Sequence, residues 1–188
     1  MFDTPTKTRI ADAFKTLLQD NPFSSIKVKN IVDLAGVSSM TFYRHFSDKY
    51  DMVENICFND LMLFTKIYGS NAELRSITVC MLNTIKNNDT FYGKILKDDE
   101  ARESFMNALS RVSLETTGTK GSPTTLSMSE EILKKWAEDE FEPSVDYVYK
   151  YWISTMPLRA VLKGKELDDV IKAFEQKTLE EFRNKYKK

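Results

Sequence analysis

Ser38, Ser39, Thr41, Tyr43, Arg44 and His45 crowd into one eight-residue stretch, SSMTFYRH, interrupted only by Met40 and Phe42. Short hydroxyls, one phenol and two possible cations form hydrogen bonds and neutralise charge. That combination suits phosphate oxygens and the edges of bases in a DNA major groove. Met40 is the exception, since a thioether side chain there can touch only a thymine methyl. Phe42 and Phe46 stand four apart, so they share one face of a helix and can anchor it on a core. An ordinary amphipathic helix with a solvated face would show the same pattern, so the helix alone leaves both readings open.

The surrounding residues supply the elements such a helix needs. Val28, Ile31, Val32 and Ala35 recur at helical spacing and give a preceding helix one apolar face. Gly36 follows, where a helix can stop in a left-handed conformation. Ser38 stands at the N-cap of the next helix, with Ser39 a second candidate. The result is helix, short turn, helix, which is the spacing of a helix-turn-helix. Upstream, Thr4-Pro5-Thr6 reads as a helix start, and Ile10, Ala13, Phe14, Leu17 and Leu18 make one stripe that ends near Asp20-Asn21-Pro22. Three helices then close a small core of Ile10, Phe14, Leu17, Ile26, Ile31, Val32, Val37, Phe42 and Phe46. Ser24 and Ser25 precede the second helix, with Lys27 and Lys29 close behind. A phosphate could sit at that N-terminus, although Ser25 serves equally well as a simple cap.

IVDLAGVS followed by SMTFYRHFSDKYDM resembles the DNA-binding region of the TetR/AcrR transcriptional regulators. The matching residues are Ile31, Ala35, Gly36, Val37, Ser38, Thr41, Phe42, Tyr43, Phe46 and Lys49, and the likeness covers about the first 55 residues. The resemblance implies a homodimer with one recognition helix per subunit in successive major grooves. It implies that Ser38, Ser39, Met40 and Thr41 lie nearest the bases and that Tyr43, His45 and Lys49 meet phosphates. Lys29 and Arg44 complete the expected DNA-contacting set. FYGKIL and the tail YWISTMPLRAVLKGKELDDVIKAF also resemble a shorter C-terminal domain type, found in a subgroup that includes activators of dihydroxyacetone-kinase operons.

Composition agrees with an all-α fold. The chain has 188 residues, 41% of them hydrophobic and 29% charged, with only 6 Gly and 5 Pro. That is enough apolar material for a core, with few sheet signals. No apolar run is long enough to span a membrane, the N-terminus lacks a signal-peptide pattern, and a cytoplasmic location is expected. Cys57 and Cys80 read as small reduced hydrophobes rather than a bridge. Basic side chains outnumber acidic ones in the first fifty residues and the reverse holds afterwards, as expected for a DNA-reading head on an acidic body.

The division expected is residues 1–50 for an N-terminal three-helix helix-turn-helix domain and residues 51–188 for a helical-bundle ligand-binding and dimerisation domain. A long helix begins at Asp48 and couples the two, ending at Gly69-Ser70-Asn71. Asp98-Asp99-Glu100 caps a later helix, as a helix-dipole complement on a wet surface. Residues 116–129, TTGTKGSPTTLSMS, read as a mobile loop, and Ile132, Leu133, Trp136 and Phe141 as a short helix after it. Two long helices finish the chain, the first kinked at Pro157, and the family resemblance assigns the homodimer contact to them. Phe58, Met62, Phe105, Met106, Tyr149 and Trp152 could line a small-molecule pocket, with packed core the competing reading.

No catalytic residue, metal site or cofactor is expected. The chain has a single His and lacks GxGxxG, P-loop, HExxH, GxSxG and paired-Cys motifs. The reading is a dimeric regulator on double-stranded DNA with an inverted-repeat operator, a repressor released by a small-molecule or protein effector. The alternatives are a co-activator or a protein-interaction module without a small-molecule ligand.

Overall fold

Thr4 starts the first helix as its side chain predicts, with its hydroxyl accepting from the Lys7 amide at 3.3 Å and Pro5 in the first turn. A computed structural model describes residues 2, 4–63, 74–118 and 120–155. Among these residues the elements are α1 (Pro5–Asp20), a 3-10 turn (Phe23–Ser25), α2 (Val28–Ala35), α3 (Ser39–His45) and α4 (Lys49–Leu61). They continue as α5 (Leu74–Asn87), α6 (Asp89–Lys97), α7 (Asp99–Thr117), α8 (Pro123–Glu138) and α9 (Val145–Thr155). The described chain is all-α, as expected.

Helices α1, α2 and α3 form the head. Its interior is the set the sequence names, with Ile10, Phe14, Ile26, Ile31, Val32, Phe42 and Phe46 buried and Leu17 and Val37 packed at the edge. Gly36 ends α2 at φ 63°, ψ 40°, a left-handed conformation that costs other residues a β-carbon clash. Helix α4 starts on Asp48, whose carboxylate accepts from the Tyr50 and Asp51 amides, each at 2.8 Å.

The body is a bundle in which α4 packs most extensively on α7, α6 lies against α7 and α8, and α9 crosses α5 and α8. Head and body share one contiguous apolar core. Phe14 of α1 meets Phe91 of α6 edge-on at 6.3 Å, Lys15 pairs with Asp60 at 2.9 Å, and Lys94 donates to the Gln19 carbonyl at 2.7 Å.

Two expectations for the body are corrected. Residues 116–129 are mostly helical: α7 runs to Thr117 and α8 begins at Pro123, capped by Ser122, whose hydroxyl accepts from the Thr125 amide at 3.1 Å. The short helix expected around Ile132 is therefore the second half of α8, and Phe141 lies beyond its end. Glu140 and Phe141 both adopt positive φ, 52° and 56°. The Phe141 amide closes the helix on the Trp136 carbonyl at 2.9 Å, and its ring stacks edge-on against Trp136 at 5.0 Å.

The acidic triple at the start of α7 divides its work. Asp98 is the cap, accepting from the Ala101 amide at 3.0 Å. Asp99 and Glu130 bind the buried Arg102 guanidinium at 2.5 and 2.9 Å, and that bond holds the Asp99 carboxyl below its ordinary pKa. Glu100 accepts from the Tyr50 hydroxyl. The long helix expected from Asp48 to Gly69 is shorter: α4 ends at Leu61, where the Met62 amide caps it on the Phe58 carbonyl. Gly69-Ser70-Asn71 and the chain beyond Thr155, including Pro157 and the dimer contact assigned to the last two helices, lie outside the described residues.

Candidate nucleic-acid interface

Phe42 is fully buried and Phe46 nearly so, their ring centroids 5.6 Å apart. With those rings fixed in the core, the helical period gathers Ser39, Met40, Tyr43 and Arg44 on one continuous face beside them. All four are exposed, Met40 at 73% and Tyr43 at 58%. An exposed thioether and phenol side by side are costly to leave in water and suited to a partner surface. Thr41 and His45 flank this face and are half-buried.

The start of α3 is built by Ser38. Its hydroxyl accepts from the Thr41 amide at 3.1 Å and lies 2.9 Å from the Thr41 hydroxyl. One O–H is used between the two side chains and the other is left for an acceptor, whichever way the pair is oriented. Ser38→Ala should lower the stability of the head by about 1 kcal/mol, the usual cost of a lost N-cap. Urea denaturation checks this value, and an unchanged midpoint would contradict the capping role.

The other sequence candidates separate. Lys29 is exposed on the first turn of α2, where Lys27 is also exposed. The Lys27 amide donates to the Asn30 side chain at 3.0 Å, which trims the bare helix end. Lys49 is held from inside: its ammonium donates to the Phe23 and Ile26 carbonyls at 3.2 and 3.4 Å and sits 4.2 Å from the Phe23 ring centroid. Two of its three N–H groups are thereby committed, and one remains for another acceptor.

Sequence reasoning missed three features. Leu34 is 52% exposed on α2, and its position off the Val28–Ile31–Val32–Ala35 stripe was the available signal. Arg9 donates to the Gly36 carbonyl at 3.4 Å, tying α1 to the turn. Tyr50 and Phe23 flank Lys49, a contact between distant positions that no local pattern announces.

Phe58, Met62, Phe105, Met106, Tyr149 and Trp152 belong to the core cluster or pack against it. Phe105 is fully buried and meets Tyr92 edge-on at 5.9 Å, and the Arg111 guanidinium covers the Phe58 ring at 4.1 Å. Two surface clefts can be described, and none of the six residues lines either. One, of about 690 Å³, runs between α8 and α9 past Trp136, Tyr147 and Tyr151. The other, of about 740 Å³, lies between head and body, with Asn21 and Phe23 on one side and Lys94 and Phe141 on the other. Among the described residues no group of His, Cys, Asp or Glu is arranged to hold a metal ion, and no helix is long and apolar enough to cross a membrane.

Residues 10–56 match the model of the bacterial regulatory proteins of the tetR family. The match runs from within α1 to within α4 and contains the whole exposed face of α3. A TetR transcriptional regulator from Streptococcus agalactiae 2603V superposes with a TM-score of 0.56 at 26% identity, over 79% of this chain and 92% of that one. The helix-turn-helix head is of the tetR-family type. Relatives of the chain include the HTH-type dhaKLM operon transcriptional activator DhaS of Lactococcus lactis subsp. lactis (strain IL1403), 30% identical over 103 residues. That match covers 53% of this chain and 54% of DhaS, so it spans about half the length of the curated relative. A solved dihydroxyacetone kinase operon activator DhaS shares the fold, with a TM-score of 0.54 at 19% identity over 85% of this chain and 99% of that one.

Proposed function

We propose that this chain, a TetR-type regulator, works as a homodimer that binds an inverted-repeat operator and controls transcription in the cytoplasm, with no catalytic activity of its own. The observation that carries the reading is the exposed face of α3, with Ser39, Met40, Tyr43 and Arg44 gathered beside the rings buried in the core. Ser38, Ser39, Met40 and Thr41 lie at the N-terminal end of that helix and discriminate among base pairs. Tyr43, Arg44, His45, Lys29 and Lys49 hold phosphates and fix the register. Two copies place the α3 helices in major grooves one helical turn apart, or a multiple of it, so the operator mirrors the two-fold axis.

An effector, whether small molecule or protein, acts by binding the two head separations unequally. Repression relieved by that effector is the first reading. Activation is the second, favoured by the description of the Lactococcus relative as an operon activator. Transcription from the bound promoter in a purified system, with and without the protein, separates the two.

The division between phosphate and base contacts has its own test. Tyr43→Ala should weaken binding roughly 10-fold on operator and random duplex alike, while Thr41→Ala should change the ranking of operator variants. Anisotropy titrations on both kinds of duplex measure this. Equal losses on specific and random DNA for Thr41→Ala would contradict it.

A further inference from the structure

We propose that Tyr50, tied to Glu100, is a positioning residue that sets where the Lys49 ammonium sits and so passes the placement of the body to the DNA-contacting face. The inference rests on the reading of Lys49 as a phosphate contact.

Four observations carry it. The Lys49 ammonium lies 4.2 Å from the Phe23 ring centroid and 5.3 Å from that of Tyr50. The two rings meet at 5.6 Å with planes 64° apart, so they make a corner that the ammonium occupies. Cation–π attraction and the Phe23 and Ile26 carbonyls fix the charge there. The Tyr50 hydroxyl donates to the Glu100 carboxylate at 2.7 Å, in the first turn of α7.

One wall of the Lys49 site thus belongs to the head, through Phe23, and the other is steered by the body, through Glu100. The head wall borders the cleft between head and body, and the α7 cap borders it too. Phe23 lines it, and so does Asp98, the cap of α7 and two residues from Glu100. A shift of the α7 N-terminus drags the Tyr50 ring and with it the ammonium, whose remaining N–H must meet a phosphate at hydrogen-bond length. Phosphate contacts fix register, so a small displacement there is felt across the whole interface.

The test is a double-mutant cycle on operator binding, read by anisotropy at fixed salt. Y50F keeps the ring and removes only the bond to Glu100, and E100Q weakens the same bond from the other side. Each should weaken binding roughly 3- to 5-fold, with the melting temperature lowered by no more than the loss of one exposed hydrogen bond. In a K49Q background the Y50F effect should disappear, because the group being positioned is gone. An equal Y50F effect with and without Lys49, or none in either, would overturn the relay while leaving Lys49 as a phosphate contact. Full operator affinity and an unchanged salt slope in K49Q would overturn the phosphate contact and the relay together.

Discussion

Raising salt from about 50 to about 200 mM should lower operator affinity by roughly 10³-fold. On the proposed reading each head offers Lys29, Arg44 and Lys49 to phosphates, and a dimer would offer both sets. Every cation that neutralises a phosphate releases condensed counterions, so the logarithm of affinity falls with the logarithm of salt at about 0.9 per contact, a slope near −5. The chain as a whole carries a formal charge of −1. A general attraction to DNA therefore cannot supply this slope, and it must come from the local set. Lys29→Gln should reduce the slope by about 2 in the dimer, one contact per subunit. Titrations at four salt concentrations measure both values, and a slope shallower than about −2 would remove phosphate binding from the account.

Phe42→Ala should destabilise the head by about 3–5 kcal/mol and abolish specific binding. The ring is fully buried and touches both Phe46 and Tyr43, at 5.6 and 5.4 Å between centroids. Helix α3 has only seven residues, too short to hold its shape without packing. Losing the ring therefore costs more than a cavity. It also removes what aims Ser39, Met40, Tyr43 and Arg44 outward. Circular dichroism with urea denaturation checks the stability, and anisotropy at a temperature where the variant is still folded checks the binding. A variant with native stability and native affinity would mean that α3 is held by something other than its aromatic anchor.

The head was legible because its signals are local. Thr4 with Pro5, Gly36, Ser38 and Asp48 each satisfy backbone groups a few residues away, so their types announce their positions. The 3.6-residue period then assigned the buried face. The body was less legible where local signals competed. The Gly, Ser and Thr content of residues 116–129 masked Ser122 and Pro123 as a helix start. The first half of α8 holds only Leu126 and Met128 as large apolar residues, two positions apart, so no apolar stripe of helical period revealed it. Phe141 passed as a helical residue because two successive non-glycine residues at positive φ are not an arrangement that composition predicts.

Contacts between distant positions were not legible at all. Lys49 is expected at a phosphate, and no local pattern announces that its ammonium sits in a corner built by Phe23, Ile26 and Tyr50. Nothing local marks Arg102, yet it is buried, with Leu96, Asp99 and Glu130 as acceptors. The pocket candidates Phe105 and Trp152 have the composition of a ligand site, and the fold uses them as packing. Large apolar side chains at helical spacing fit both roles, and only the three-dimensional neighbours separate them.

Selection of binding sites from a random duplex pool by the purified full-length chain, followed by the mass of the complex on the winning sequence, tests the central claim most directly. The account predicts an enriched inverted repeat with half-site centres about one helical turn apart, or a multiple of it, occupied by two chains. No enrichment, or one chain on a single asymmetric site, would contradict it.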